Sequence, residues 1–170
     1  MSSTPTDTFT CSICGENHDG LPTDCGYKLP DDIWAIPKDE RASRAKYTAD
    51  LCQMGDRWFI RCLLKIPFVD QPGYYGWGIW VEVAQSVFDR YLELYEVDAT
   101  SEPLHSGTIA NRIDGYAQTI GEPVLIQFDI AKDRPTVQFP AESRCILSAE
   151  QTHGISAARY HEILHSNNGQ

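Results

Sequence analysis

Two long stretches with strand character, separated by a single turn, restrict the folds open to this chain. Over residues 57–67, apolar side chains alternate with mostly polar ones, which is typical of a strand with one apolar and one largely wet face. Residues 74–84 follow with many aromatic and β-branched side chains, which favour strands. The turn between them contains Pro72-Gly73, and a connection this short joins antiparallel strands. We therefore expect an antiparallel hairpin at the centre of the fold.

The remaining patterns predict a short helix before this hairpin, over residues 37–45 with Pro37 in its first turn, and two helices and three shorter strands after it. Apolar residues at helical spacing predict helices over residues 85–96 and 155–165. Alternation and turn residues predict strands over residues 104–109, 124–130 and 136–139. Because strands follow one another without βαβ units, this order predicts an α+β fold, with an antiparallel sheet of about five strands and helices packed on one face.

A cluster of metal-binding side chains near the N-terminus predicts a structural zinc site. Two residues separate Cys11 from Cys14, and three more separate Cys14 from His18, which is the spacing of a zinc knuckle. A closed structural zinc site needs four ligands, so one more must come from elsewhere in the chain. Either Cys25 or Cys145 can supply it, and spacing alone does not decide between them.

Length and charge narrow the class of protein. The 170 residues suffice for one domain with its own core, which we place at residues 9–166, between a disordered segment at 1–8 and a frayed end at 167–170. No stretch is apolar enough to span a membrane, and the N-terminus lacks the features of a signal peptide, so we expect a cytoplasmic protein. The net charge of -10 disfavours binding to nucleic acid or to membranes. Solubility is the preferred explanation of this charge, and attraction of a basic protein partner is the second.

Aromatic residues of the second strand, with polar neighbours, are candidates for a binding surface. We assign Trp77, Trp80, Arg61 and Asp50 to this candidate surface, because Trp and Arg contribute strongly to binding at interfaces. The competing interpretation, which we prefer for the aromatic rings, places them in a large core between sheet and helix. The sequence contains no phosphate-binding loop, nucleophile elbow or metalloprotease helix, so a role without catalysis is the leading hypothesis.

A series of short motifs runs through nearly the whole chain, from Phe9 to about Ile163. The motifs are Phe9-x-Cys11-x-x-Cys14-Gly15-x-x-His18, Leu21-Pro22, Pro30, Glu40-Arg41, Arg44, Asp50-x-Cys52, Phe59-x-Arg61, Ile66-Pro67, Gly76-Trp77-Gly78-x-Trp80-Val81, Phe88-x-x-Tyr91, Gly115-Tyr116-x-x-Thr119, Arg134-Pro135 and Gln151-x-x-Gly154-Ile155. This series resembles an uncharacterised bacterial family, domain of unknown function 2199. The resemblance implies a shared architecture and no particular activity, since the family brings none.

The same resemblance bears on the fourth zinc ligand. Relatives tend to carry a His-Pro-Leu-Ala segment six residues before the glutamine that Gln151 matches, and Cys145-Ile146-Leu147-Ser148 occupies that place here, without the proline. Cysteine and histidine are both zinc ligands, so the resemblance implies that Cys145 rather than Cys25 completes the site. Cys62 stands where glycine is typical, which favours a packing role for this thiol.

The first functional hypothesis is therefore a zinc-stabilised cytoplasmic protein that binds another macromolecule. A specific version is an immunity or antitoxin-like protein whose acidic surface covers a basic toxin. The alternative is an enzyme of unknown class, with a cleft around the Trp77-Gly78-x-Trp80 strand that uses Arg61, Trp77 and Asp50. The sequence leaves the oligomeric state open.

Overall fold

The protein is described here from a computed structural model, which covers residues 8–10, 17–19 and 24–166. Apart from Thr8, the ends predicted to be disordered or frayed lie outside these residues. The strands are β1 (Thr8–Thr10), β2 (Asn17–Asp19), β3 (Asp24–Gly26), β4 (Lys46–Tyr47), β5 (Leu51–Met54), β6 (Arg57–Pro67), β7 (Tyr74–Val83), β8 (His105–Ile109), β9 (Pro123–Gln127) and β10 (Thr136–Gln138). The helices are α1 (Asp31–Trp34), α2 (Arg41–Arg44), α3 (Gln85–Leu94), α4 (Ile146–His153) and α5 (Ala157–Ser166).

Strands β6 and β7 form the long antiparallel hairpin that the alternation predicts. The pairing runs along the whole hairpin, from Trp58 opposite Val83 to Pro67 opposite Tyr74. The bounds of β6 are those predicted, and β7 ends one residue before the predicted end. The alternation of side chains therefore sets both the existence and the extent of this hairpin.

The predicted antiparallel sheet with helices packed on one face is wrong, because five strands close into a barrel. The ring runs β6-β7-β8-β9-β10, and β10 returns to β6 by a parallel pairing in which Thr136 lies opposite Leu63. Three further strands extend this sheet outside the ring, with β3 parallel to β7, β5 on β6, and β4 on β5. Closure is possible because β6 is long enough to pair with β5 along its first half and with β10 further on.

Both faces of the hairpin contribute to the core, although the alternation in β6 predicts one largely wet face. The side chains that face one side of the hairpin and are fully buried are Ile60, Cys62, Leu64, Ile66, Tyr75, Trp77, Ile79 and Val81. On the opposite face, Phe59 and Trp80 are equally buried. The segment that follows β3 packs here, since Trp80 Nε1 donates a hydrogen bond to the Tyr27 carbonyl at 2.9 Å and Ile33 joins the same core.

The helices lie at separate places around the barrel. Helix α3 starts just after the C-terminal end of β7 and buries Tyr91, whose ring packs edge-on against Phe128 at 5.4 Å. Helix α5 lies near the other end of β7, where Tyr160 meets Tyr75 at a ring separation of 5.2 Å. Within the described residues, every helix is too short and too polar to cross a lipid bilayer.

Candidate functional site

The four predicted zinc ligands are only partly within the described residues. Cys11 and Cys14 lie outside them, while His18 lies in β2 with its backbone opposite Phe9 of β1. Cys145 is the N-cap residue of α4, and its Sγ accepts a hydrogen bond from the Ser148 N–H at 3.4 Å. This cysteine is half-buried and lies at the start of the helix.

Among residues 8–10, 17–19 and 24–166, no three His, Cys, Asp or Glu side chains form a group that could hold a metal ion. This observation does not test the zinc prediction, because two of its four ligands, Cys11 and Cys14, lie outside the described residues. Cys52 and Cys62, in contrast, are buried free thiols. Burial raises the pKa of Cys52 to about 11 and raises the pKa of Cys62 further, so both thiols stay protonated and pack as small apolar groups.

The structure places Trp77 and Trp80 in the core, away from any surface. Neither side chain is exposed, and the Trp77 ring packs edge-on against Tyr75 at 4.9 Å. Trp80 is fixed further by the hydrogen bond from its indole to Tyr27. In this conformation the two rings cannot touch a partner, and the arrangement is the aromatic core that the sequence interpretation preferred.

Arg61 and Asp50, the polar members of the candidate surface, do lie together. The Arg61 N–H donates to the Asp50 carbonyl at 2.9 Å, where β5 begins to pair with β6. A third residue, Arg134, joins them through a hydrogen-bonded ion pair from its Nε to Asp50 Oδ1 at 2.7 Å. Arg134 was not among the predicted site residues, because the Arg134-Pro135 pair indicates only a turn. Its position beside Asp50 depends on the strand that closes the barrel, which the sequence patterns did not predict.

Asn111 is a second polar residue that the sequence patterns do not reveal. It is fully buried, and its Oδ1 accepts the Trp80 N–H at 2.7 Å. Its Nδ2 donates to the Leu29 carbonyl at 2.9 Å and to Asp31 Oδ1 at 3.0 Å. The amide thus joins β7 to the segment before α1 and to the first residue of α1, and its role is structural because these three hydrogen bonds connect parts of the fold.

An open groove runs beside the turn of the β6–β7 hairpin. Its volume is about 380 Å³, and Leu63, Phe68 and Tyr74 line it together with Gly76. Arg61, Trp77 and Asp50, which the enzyme hypothesis places around its cleft, are not among the residues that line this groove. The polar side-chain groups of its lining are the Tyr74 hydroxyl and the Gln71 amide.

A surface at the C-terminal end of α3 combines exposed apolar and acidic side chains. Leu92, Val97 and Ile130 are 48%, 49% and 52% exposed. Two backbone hydrogen bonds hold the segments together, from the Lys132 N–H to the Tyr95 carbonyl at 2.8 Å and from the Ala99 N–H to the Asp129 carbonyl at 3.1 Å. Exposed carboxylates of the same segments belong to Glu93, Glu96, Asp98 and Asp133. We call these seven side chains the α3-end surface.

A family model described as an uncharacterized protein conserved in bacteria, domain of unknown function 2199, matches residues 10–155. The chain belongs to this family. No curated protein matches the chain. No solved structure matches it either.

The part of the chain that this family shares contains most of the features described above. Residues 10–155 include the four predicted zinc ligands, the cluster of Arg61, Asp50 and Arg134, and the whole α3-end surface. Helix α5, which packs Tyr160 against the barrel, begins just beyond the matched residues. Membership in the family carries no activity with it.

Proposed function

We propose that the protein acts in the cytoplasm by binding a basic protein partner, without catalysis, and that a structural zinc ion stabilises it. An immunity or antitoxin-like protein that covers a basic toxin is the specific form of this proposal. The observation that carries it is the α3-end surface, where three half-exposed apolar side chains lie among four exposed carboxylates.

The composition of this surface supports a protein partner. Apolar side chains that stay exposed next to a charged rim are typical of protein interfaces, where the apolar centre is buried and the rim stays wet. Among the carboxylates, only Glu93 has an ion-pair partner in the described residues, Arg90 at 3.0 Å. Asp98 accepts hydrogen bonds from Thr100 and keeps its negative charge at the surface. Charge complementarity therefore favours a basic partner and speeds its association.

The thiols support the proposed location and the proposed metal. Cys52 and Cys62 are buried without a disulfide, as is usual for proteins of the reducing cytoplasm. Cys145 has a backbone N–H donor on its sulfur, and His18 lies in the strand next to the segment that holds Cys11 and Cys14. These four residues would hold the zinc, which would link the N-terminal hairpin to the start of α4 and contribute to folding.

The test is capture of a partner by the tagged protein from its own host, with identification of each captured protein and reconstitution with the purified candidate. Glu96→Lys reverses the charge of one exposed carboxylate of the α3-end surface. Asp56→Lys makes the same change in the exposed turn before β6, outside that surface. We expect the wild type and Asp56→Lys to bind the same basic protein at about 0.15 M salt, where charges interact over about 8 Å, and Glu96→Lys to bind it at least about tenfold more weakly.

Two outcomes would contradict the proposal. One is that no basic protein binds the purified wild type at either low or moderate salt. The other is that Glu96→Lys and a Leu92→Ser variant bind the reconstituted partner as tightly as Asp56→Lys does, which would place the contact elsewhere.

A further inference from the structure

On one edge of β6, the paired strand changes from β5 to β10 near Arg61. This change brings two segments that are far apart in sequence close together. The Arg61 N–H donates to the Asp50 carbonyl at 2.9 Å, and the Leu63 N–H donates to the Pro135 carbonyl at 2.8 Å. The start of β5 and the start of β10 therefore meet on the same edge of β6. Asp50, just before β5, and Arg134, two residues before β10, lie next to each other and form an ion pair.

The side chain of Arg61 lies against the backbone of two glycines. A Cβ atom on Gly78 would be 3.3 Å from Arg61 Nη2 and 3.5 Å from its Nε, and a Cβ atom on Gly26 would collide with Nη2. These glycines lie opposite each other in the β3–β7 pairing. Only residues without a side chain allow the guanidinium to come this close, so the glycine pair fixes where the cation sits.

Among the described residues, the Arg61 guanidinium has few hydrogen-bond partners. Its Nη1 is 3.5 Å from the Ala49 carbonyl, which is a long contact, and its Nε is buried without an acceptor among the described residues. A guanidinium has five N–H donors and keeps its charge in proteins. Burial, and then the charge of Arg134, lower the pKa of Arg61, which means that its charged form lacks compensation.

The charge balance at this place differs from that at the other ion-paired arginines. Arg57 has two carboxylate partners, Asp32 and Glu82. Arg90 and Arg159 likewise have two each, namely Glu93 and Glu102 for Arg90, and Glu150 and Glu162 for Arg159. Here the single carboxylate of Asp50 is paired with Arg134, and Arg61 has no carboxylate partner among the described residues. On a chain with a net charge of -10, this is a local excess of positive charge.

We propose that Arg61 and Arg134 form a binding site for an oxyanion, a carboxylate or a phosphate group, beside Asp50. Guanidinium groups bind both kinds of anion through charge-assisted hydrogen bonds, and two of them together give an anion more donors than either alone. Asp50 already uses the Nε of Arg134, so it competes with the ligand for that cation. The site does not depend on the α3-end surface or on a protein partner.

The experiment compares anions at constant ionic strength. Inorganic phosphate and acetate are titrated separately into the full-length protein against sodium chloride, and the Arg Nε–H signals are followed by NMR together with the unfolding temperature. We expect one of the two anions to shift the signals of Arg61 and Arg134 and to raise the unfolding temperature more than chloride does. A response to phosphate alone assigns the site to phosphate groups, and a response to acetate assigns it to carboxylates.

Substitutions decide whether these two arginines hold the anion. Arg134→Gln removes a half-exposed cation and should weaken binding about tenfold or more, because hydrogen bonds to charged groups are the stronger ones. Asp50→Asn removes the competing carboxylate and should tighten binding. Arg112→Gln, at an exposed arginine outside the cluster, is the matched control and should bind like the wild type.

The proposal is overturned if neither anion has more effect than chloride at equal ionic strength. It is also overturned if Arg134→Gln binds the anion as tightly as Arg112→Gln does. A folded Arg134→Gln protein is confirmed independently by its unfolding temperature in chloride, so that loss of binding cannot be mistaken for loss of structure.

Discussion

Single arginine residues hold distant parts of the described chain together. Arg57 connects α1 to β7 through Asp32 and Glu82, and Arg159 of α5 reaches Glu150 of α4 at 2.8 Å. Such contacts lie at the surface or half-buried, where each is worth about 1 kcal/mol or less unless its geometry is bidentate. We therefore expect a measurable loss of stability only on removal of an ion pair that has two parallel hydrogen bonds.

Glu102 takes part in one of these bidentate pairs, and its effect should depend on pH. Both of its oxygens accept hydrogen bonds from Arg90, at 2.9 and 3.0 Å, and His105 lies 3.1 Å away. Hydrogen bonds from Arg90, and then from His105, lower the pKa of Glu102 from 4.5 to about 2. Because the pKa is lower in the folded state, the stabilisation is present above pH 4.5 and is lost as the pH falls towards 2.

We expect Glu102→Gln to be less stable than the wild type at neutral pH, and the difference in free energy of unfolding to vanish near pH 2. Urea unfolding of the wild type and of Glu102→Gln at several pH values measures this difference. Glu93→Gln, which removes a more exposed partner of the same arginine, should show little difference at any pH. A Glu102→Gln difference that stays constant from neutral to acidic pH would contradict the argument.

Residue patterns predict burial better than they predict polar contacts. The alternation in β6 correctly groups Ile60, Cys62 and Leu64 on one buried face, because burial follows the two-residue period of a strand. It fails for Phe59, which is fully buried although it lies on the face predicted to be largely wet. Asn111 and Arg134 carry no local signal, since their partners are decided only when the barrel closes.

At the scale of elements, the pairing of β7 with β8 depends on a residue without a side chain. A Cβ atom on Gly107 of β8 would lie 2.5 Å from Val81 Cγ1 and 2.8 Å from the Glu82 carbonyl oxygen. The carbonyl belongs to the backbone of β7 and cannot turn away. Strands β7 and β8 are thus packed too closely at Gly107 to accommodate even a methyl group.

Gly107→Ala should therefore destabilise the protein by about 1–3 kcal/mol, the usual cost of overpacking, which exceeds the gain of up to about 1 kcal/mol from a less flexible unfolded chain. Ser106→Ala, at the exposed neighbouring position of the same strand, should change stability by no more than about 0.5 kcal/mol. Urea unfolding of both variants gives the comparison. Equal stability of the two would mean that β8 can move away from β7 at little cost.

The elements themselves were largely predictable, and their arrangement was not. The hairpin and the position of α3 follow from periodicity, because each pattern is long and local. Strand β10 has three residues and pairs with β6 in parallel, which no short pattern can indicate. The sequence therefore predicted successive strands and missed their closure into a barrel.

At the scale of the whole molecule, the proposed zinc would tie the two ends of the chain together. Its ligands Cys11, Cys14 and His18 precede the barrel in sequence, and Cys145 follows all of the described strands. A metal that joins such distant segments binds only the folded chain, so its binding free energy adds to stability.

We expect about one zinc ion per protein chain in the wild type, and a lower unfolding temperature after treatment with a chelator. Cys145→Ser should lose the zinc, whereas Cys25→Ser should keep it. Serine is also a good N-cap residue, so a loss of metal in Cys145→Ser would not result from damage to α4. Metal analysis of the three proteins is the measurement. Wild-type protein that binds no zinc, or loss of zinc from Cys25→Ser alone, would contradict the ligand set.

The parallel seam between β10 and β6 also has a consequence for how the chain reaches its native state. The β6–β7 hairpin joins residues that are close in sequence, whereas the seam joins Leu63 to Thr136 through only two opposed residue pairs. Contacts this distant cost more loop-closure entropy and form late in folding. The seam is thus the natural place for the native barrel to open briefly, and each opening would leave the edge of β6 unpaired and able to recruit the strand of another molecule.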